Sequence, residues 1–257
     1  MRSIWFELKN ALWSRKLLLT VVGMIFLSLG SLLNEMKAMP DSSVYYLYMV
    51  YFYYPMWMIG LVLAPISGAT SFCVDWNTQA YRLKIIRCGK RKYILSKILI
   101  TWMTAFLAVA LSQMFMLVIL SYCRTTFLDG DGNALLGGIY QAYLNKNDIW
   151  IYFMSKVFFL SIGVAFFAVL ALWISVKITD TLVVVTTPII GYYIIDNISI
   201  WLRLPKYLSI PRLIKGNIEI VKGISCTWLY VGGIFGSLAL LLSWSFYRNC
   251  KRRIENG

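Results

Sequence analysis

At 257 residues, 60% hydrophobic and only 14% charged, the chain is too apolar for a soluble domain, which carries about 25% charged residues. A formal charge of +14 would suit nucleic acid, but the Lys and Arg residues cluster at the ends of apolar runs, the pattern of membrane topology. The composition therefore reads as an all-α polytopic membrane protein, partnered by the lipid bilayer and not by nucleic acid, and the absence of histidine removes the commonest metal ligand and general base.

Residues 1–16 predict a helix lying in the membrane interface. At about 100° per residue, Ile4, Trp5, Leu8, Ala11 and Leu12 share one arc, and Glu7, Lys9, Asn10 and Ser14 fall outside it. Trp5 and Trp13 suit the headgroup level. This polar stretch ahead of the first apolar run, with no small-residue cleavage motif after it, reads as no cleavable signal peptide.

Six apolar runs follow, at about 17–33, 44–72, 98–123, 149–176, 181–195 and 226–247, judged against the roughly 20 residues that a bilayer needs. An even number puts both termini on one side. With the N-terminus inside, the inner side holds 16 of the 25 Lys and Arg and four of the 11 acids, a net of +12 against +2 outside. The assignment is N-in and C-in. Residues 203–222, with five basic residues on the outer side, argue mildly against it.

The second run is crowded with aromatics: Tyr45, Tyr46, Tyr48, Tyr51, Phe52, Tyr53, Tyr54 and Trp57. An interfacial belt accounts for the first three. The deeper ones leave open a cavity wall for an apolar or amphipathic substrate. Tyr51, Tyr54, Trp57 and Met58, with Thr187 and Tyr192 of the fifth run, are the candidate substrate-path residues.

Residues 73–97 form a polar island with seven basic residues and a single acid, Asp75. It is too long for a simple turn. Its one Gly-Lys pair, Gly89-Lys90, lacks the flanking residues of a phosphate-cradling loop, so ATP hydrolysis by this chain alone is not expected. Asp129-Gly-Asp131-Gly-Asn133 starts like a calcium loop, but Ala134 and Tyr140 stand where glycine and a bidentate glutamate are needed; a solvated outer loop is the reading. No metal or other cofactor is expected on the chain. None of the five cysteines forms a CxxC pair, and Cys123 and Cys226 near the outer face leave a disulfide or two free thiols open.

The fifth run is short. Residues 181–195 span about 22 Å before Asp196-Asn197, against a hydrocarbon core of ~30 Å. Pro188 and Gly191 interrupt it, and Pro205 and Pro211 follow. The expectation is a short helix to residue 195, then a re-entrant outer-leaflet segment before the sixth run; a full span to Leu202 carrying Asp196 is the other reading. No ionisable residue sits at mid-depth, since Lys156 and Asp196 lie near span ends, which disfavours a proton- or sodium-driven carrier.

Glu7-Leu-Lys9 and Ser14-Arg15-Lys16 lead into the first span. The island opens with Asp75-Trp-Asn-Thr78-Gln79, continues through Ile85-Ile86-Arg87 and Gly89-Lys-Arg-Lys92-Tyr93, and ends at Ser96-Lys97. In this layout the chain resembles the membrane subunit of ABC-2-type ATP-binding-cassette exporters. Asp75 stands where that family has Glu, Asn77-Thr78 where it has Gly-Thr, and Ser96-Lys97 where it has Gly-Lys.

The resemblance implies a cytoplasmic coupling helix between spans two and three, docking in a groove of a separate ATPase subunit that supplies ATP and magnesium. Asp75, Trp76, Asn77, Thr78, Tyr81, Arg82, Ile85 and Arg87 would form it. Asp75 is expected to cap its N-terminus. Tyr81, Ile85 and Cys88 share a packing stripe, and Arg82, Lys84 and Arg87 lie elsewhere, available to acids of the partner. The resemblance further implies a permease pair, as a homodimer or with a second permease, in a 2+2 complex in a bacterial plasma membrane. Small amphipathic or antimicrobial peptides are the expected cargo. An ATPase-independent carrier or channel, or a non-transporting immunity or scaffold protein, are the alternatives. An intramembrane enzyme is not expected, with no GxSxG motif and no paired mid-membrane aspartates.

Overall fold

The computed structural model describes residues 2–38, 56–123, 149–205, 207–215 and 224–256. These form helices α1 (Arg2–Leu12), α2 (Arg15–Ala38), α3 (Met56–Gly68), α4 (Thr70–Asn77), α5 (Ala80–Cys88), α6 (Lys90–Cys123), α7 (Ile149–Ser175), α8 (Thr181–Trp201), α9 (Ile210–Lys215) and α10 (Ile224–Asn256), with no strand among the described residues. Six stretches are long and apolar enough to cross a membrane: Glu7–Leu33, Met58–Asn77, Lys90–Tyr122, Met154–Ser175, Thr181–Trp201 and Cys226–Glu255. The chain is a multi-pass membrane protein by this measure.

Helix α7 is the axis of the bundle. It is the most apolar and most enclosed of the six, and packs against α3, α6, α8, α9 and α10. Being apolar all round, it has no face to give to water. Small residues on it let neighbours approach: a Cβ at Gly163 would lie 2.6 Å from Cγ1 of Ile214 on α9. Two indole bonds join α7 to α10. Trp228 donates to Ser155 Oγ at 3.0 Å and Trp173 donates to Ser245 Oγ at 2.9 Å. The paired positions advance together, so α7 and α10 run parallel, as fourth and sixth spans of an alternating chain must.

Helices α3 and α6 run antiparallel and press backbone to backbone. A Cβ at Gly68 would stand 2.6 Å from Thr101 Cα. Helix α3 holds Pro65, and the hydroxyls of Ser67 and Thr70 donate to the carbonyls of Ala64 and Ile66. This combination bends a helix, and after the turn at Ala69 the chain continues as α4. At the N-terminus, α1 packs on α6, with Leu8, Ala11 and Leu12 half-buried and Lys9 and Asn10 exposed. Ser14 then accepts from Leu17 N at 3.3 Å and starts α2.

The fifth span differs from the expected short helix. Helix α8 begins with Asp180 capping Leu182 N at 2.9 Å and runs unbroken to Trp201. Pro188 removes one amide from the ladder, while the hydroxyls of Thr186 and Thr187 donate to carbonyls a turn earlier. Asn197 donates to Tyr193 O at 2.8 Å. The polar pair is thus absorbed within the helix. Its 21 residues give about 30 Å, enough for the hydrocarbon core. Between α8 and α10 the described residues contain one short helix, α9, held against α7 and α8.

Candidate functional site

The island folds as α4, α5 and the start of α6, and one carboxylate joins all three. Asp75 lies in the last turn of α4 and is 6% exposed. Its Oδ1 is 2.7 Å from Lys84 Nζ on α5, and its Oδ2 is 2.7 Å from Lys97 Nζ on α6. Tyr93 donates its hydroxyl to Oδ2 at 3.3 Å. Lys97, only 5% exposed, also donates to Ser71 Oγ at 3.0 Å and Ser71 O at 3.3 Å. Both buried charges are therefore paired and hydrogen-bonded, the condition under which burial is tolerated.

The chain path that allows this is set by two turns. After α4, Thr78 donates its hydroxyl to Val74 O, and Gln79 takes a left-handed φ of 57° that reverses the chain into α5. Gly89, at φ 81°, makes the second turn into α6, a conformation that glycine adopts without penalty.

Aromatic rings cover the cluster. Trp76 stacks on Tyr81 at 4.4 Å between centroids, and the Arg253 guanidinium lies 4.2 Å from the Trp76 ring centroid. Phe72 meets Phe246 edge-on. Arg253 also donates to Val176 O, and Asn77 donates to Thr179 O at 3.3 Å. Lys90 stands 3.9 Å from Glu255. The basic island, the turn between α7 and α8, and the basic C-terminal end of α10 thus meet at one end of the bundle.

The arrangement sorts the expected coupling residues. Asp75 and Tyr81 are buried, Trp76 and Ile85 are half-buried, and Asn77, Thr78, Arg82 and Arg87 are exposed. Two expectations are corrected. Asp75 does not cap α5, whose first residue follows Gln79 with no side-chain cap; it is turned inward because two lysines of its own chain claim it. Lys84 is not available to a partner's acids for the same reason. The stripe of Tyr81 and Ile85 faces the chain's own core.

The opposite face of α5 carries what sequence reasoning missed. Leu83 and Ile86 are 63% and 80% exposed, between exposed Arg82 and Arg87. Helical spacing places these four on one side, which is the signal that would have found them. Lys97 and Tyr93 as partners of Asp75, and Arg253 as a partner of Trp76, were also missed.

Of the candidate substrate-path residues, Tyr51 and Tyr54 lie outside the described residues, as does the side chain of Trp57. Met58 is half-buried and accepts from the Tyr193 hydroxyl at 3.5 Å. Thr187 and Tyr192 are buried. Among these, Tyr192 borders a pocket at the far end of α8. The calcium-like loop at 129–133 and the Cys123 side chain lie outside the described residues, and Cys226 is an exposed free thiol.

No protein-family model, curated protein or solved structure matches the chain.

Proposed function

We propose that the chain is the permease subunit of an ATP-binding-cassette exporter of the ABC-2 type, driven by a separate ATPase. The observation that carries this reading is α5: a short helix fixed to the spans by a buried ion cluster, with an outward stripe of Leu83 and Ile86 flanked by Arg82 and Arg87. A groove with an apolar floor and acidic rim is its complement. ATP and magnesium belong to the partner, and the island lies in the cytoplasm of a bacterial plasma membrane with both termini. Two permeases, identical or paired, and two ATPases make the working unit. Its cargo is small amphipathic or antimicrobial peptides.

The test is a search of the neighbouring genes for an ATP-binding-cassette ATPase, followed by copurification with it. Leu83→Asp with Ile86→Asp should abolish recovery of the ATPase while leaving the permease's melting temperature unchanged, because both side chains are exposed. Equal recovery with the variant and the unaltered chain would refute docking through α5.

A further inference from the structure

About 30 Å along α8 from the Asp75 cluster, a pocket of about 430 Å³ opens between the end of α8 and α9. Tyr192, Asp196, Ser199, Ile200, Arg203 and Arg212 line it. Two arginines and one aspartate share that lining, and among the described residues no salt bridge joins them. Ser199 spends its hydroxyl proton on Ile195 O and keeps an oxygen to accept with.

Arg203 is in an unusual place. Helix α8 ends with Leu204 N donating to Ser199 O and Arg203 N donating to Ile200 O, and Arg203 itself has φ 49°. Glycine is the usual residue at this helix-ending position, because a Cβ is penalised there. A long cationic side chain is held in that conformation at the pocket's edge. Such backbone outliers point towards function when a site adjoins them.

The surroundings of the pocket are apolar and exposed. Ile200, which lines the pocket, is 68% exposed, and Trp201, 84% exposed, follows it at the end of α8, with Leu202, Tyr207 and Leu208 exposed nearby. Tryptophan and tyrosine at the end of a span mark headgroup depth. The pocket stands where a lipid changes from tail to headgroup.

We propose that this pocket binds a phospholipid with a zwitterionic, primary-amine headgroup. The phosphate sits between Arg203 and Arg212, whose planar donor forks suit its oxygens. The ammonium pairs with Asp196. The acyl chains leave the pocket over exposed Ile200. An anionic lipid without an amine leaves Asp196 facing negative charge, and a choline headgroup offers no N–H donor to it. The site requires only that the chain spans a membrane and stands apart from the exporter reading.

The test uses the full chain, delipidated in detergent and titrated with phosphatidylethanolamine, phosphatidylglycerol or phosphatidylcholine, with bound lipid counted by native mass spectrometry. Phosphatidylethanolamine should be retained about tenfold better than the other two, the scale of one charge-assisted hydrogen bond. Asp196→Asn should erase that preference, and Arg203→Gly, which keeps the backbone conformation, should weaken retention of all three lipids alike, neither variant lowering the melting temperature. Equal retention of the three lipids, a preference that survives Asp196→Asn, or unchanged retention in Arg203→Gly overturns the proposal. Soluble glycerophosphoethanolamine should not compete at the lipid's own concentrations; competition there would assign the pocket to a free headgroup and overturn the lipid assignment.

Discussion

Neutralising Asp75 separates a structural ion cluster from a surface ornament. In Asp75→Asn the carboxylate charge disappears, while Lys97 remains enclosed, with a side chain 6% exposed. Its remaining contacts are Ser71 O and Oγ at 3.3 and 3.0 Å and the Tyr93 ring, 5.7 Å from Nζ to the centroid. Breaking a buried pair from one side costs about 3–5 kcal/mol, because the abandoned charge is left without compensation. Lys84 is different. Its side chain is 41% exposed, so solvent screens the pair and Lys84→Ala should cost about 0–1 kcal/mol. At about 2–4 °C per kcal/mol for a chain of this size, Asp75→Asn lowers the melting temperature by roughly 6–20 °C and Lys84→Ala by at most about 4 °C.

A third variant closes the cycle. Asp75→Asn with Lys97→Met removes the stranded cation along with its partner. It should recover about 2 kcal/mol or more relative to Asp75→Asn alone, the coupling expected of side chains in direct contact. Melting of the purified protein in detergent, followed by a thiol-reactive dye at the buried Cys73 and Cys250, reads all four proteins. The reasoning fails if Asp75→Asn and Lys84→Ala shift the melt equally, or if the double variant melts no higher than Asp75→Asn.

Two further predictions concern packing and topology. Gly68→Ala places a methyl group 2.6 Å from Thr101 Cα, a backbone atom that cannot swing aside, so it should destabilise the bundle by about 1–3 kcal/mol in the same melt. Gly232→Ala, where a Cβ meets nothing within 4 Å, should leave the monomer's melt unchanged and serves as its control. In cells, a membrane-impermeant maleimide should label exposed Cys226 from outside in a Cys123→Ser background, and should label Lys92→Cys, in a background with both Cys123 and Cys226 changed to Ser, only after permeabilisation. Labelling of Lys92→Cys in intact cells would reverse the N-in assignment.

The six helices were legible because length and apolarity alone identify them. The inner arc of α1 was legible too, since Leu8, Ala11 and Leu12 follow helical spacing and end half-buried. The end of α8 was misread: Pro188 and Asp196-Asn197 are breakers in isolation. The helix runs past Pro188, and the bond from Asn197 to Tyr193 O keeps the polar pair within the ladder; sequence does not rank such local accommodation against the breaker. At the island, the stripe of Tyr81 and Ile85 was visible from spacing. The partners of Asp75 were not, because Lys84 lies beyond a left-handed turn and Lys97 on the next helix. Spacing rules relate residues within one helix, and this contact joins three. Arg253 over Trp76 was further out of reach, its two residues lying at the ends of different spans.

The ion cluster bears on mechanism through geometry more than through stability. A buried ion pair can often be exchanged for apolar residues with no loss of stability, so stability gives little reason for one at this place. What Asp75 supplies is direction: two lysines from two helices converge on one carboxylate, which fixes the angle of α5 against α4 and α6. Trp76 and Asn77 extend the same fixation to α10 and to the turn before α8 through Arg253 and Thr179 O. In the proposed exporter, a push on Leu83 and Ile86 therefore could not be absorbed by a swivel of α5 alone. It would have to move the ends of several spans together, which is what a coupling element must do. A loop that only satisfied positive-inside topology would need its lysines and arginines, but neither the buried carboxylate nor the two large apolar side chains left bare on its outer face. The Leu83/Ile86 and Asp75 variants divide these roles: the first should cost the proposed ATPase contact in a folded chain, the second should loosen the element itself.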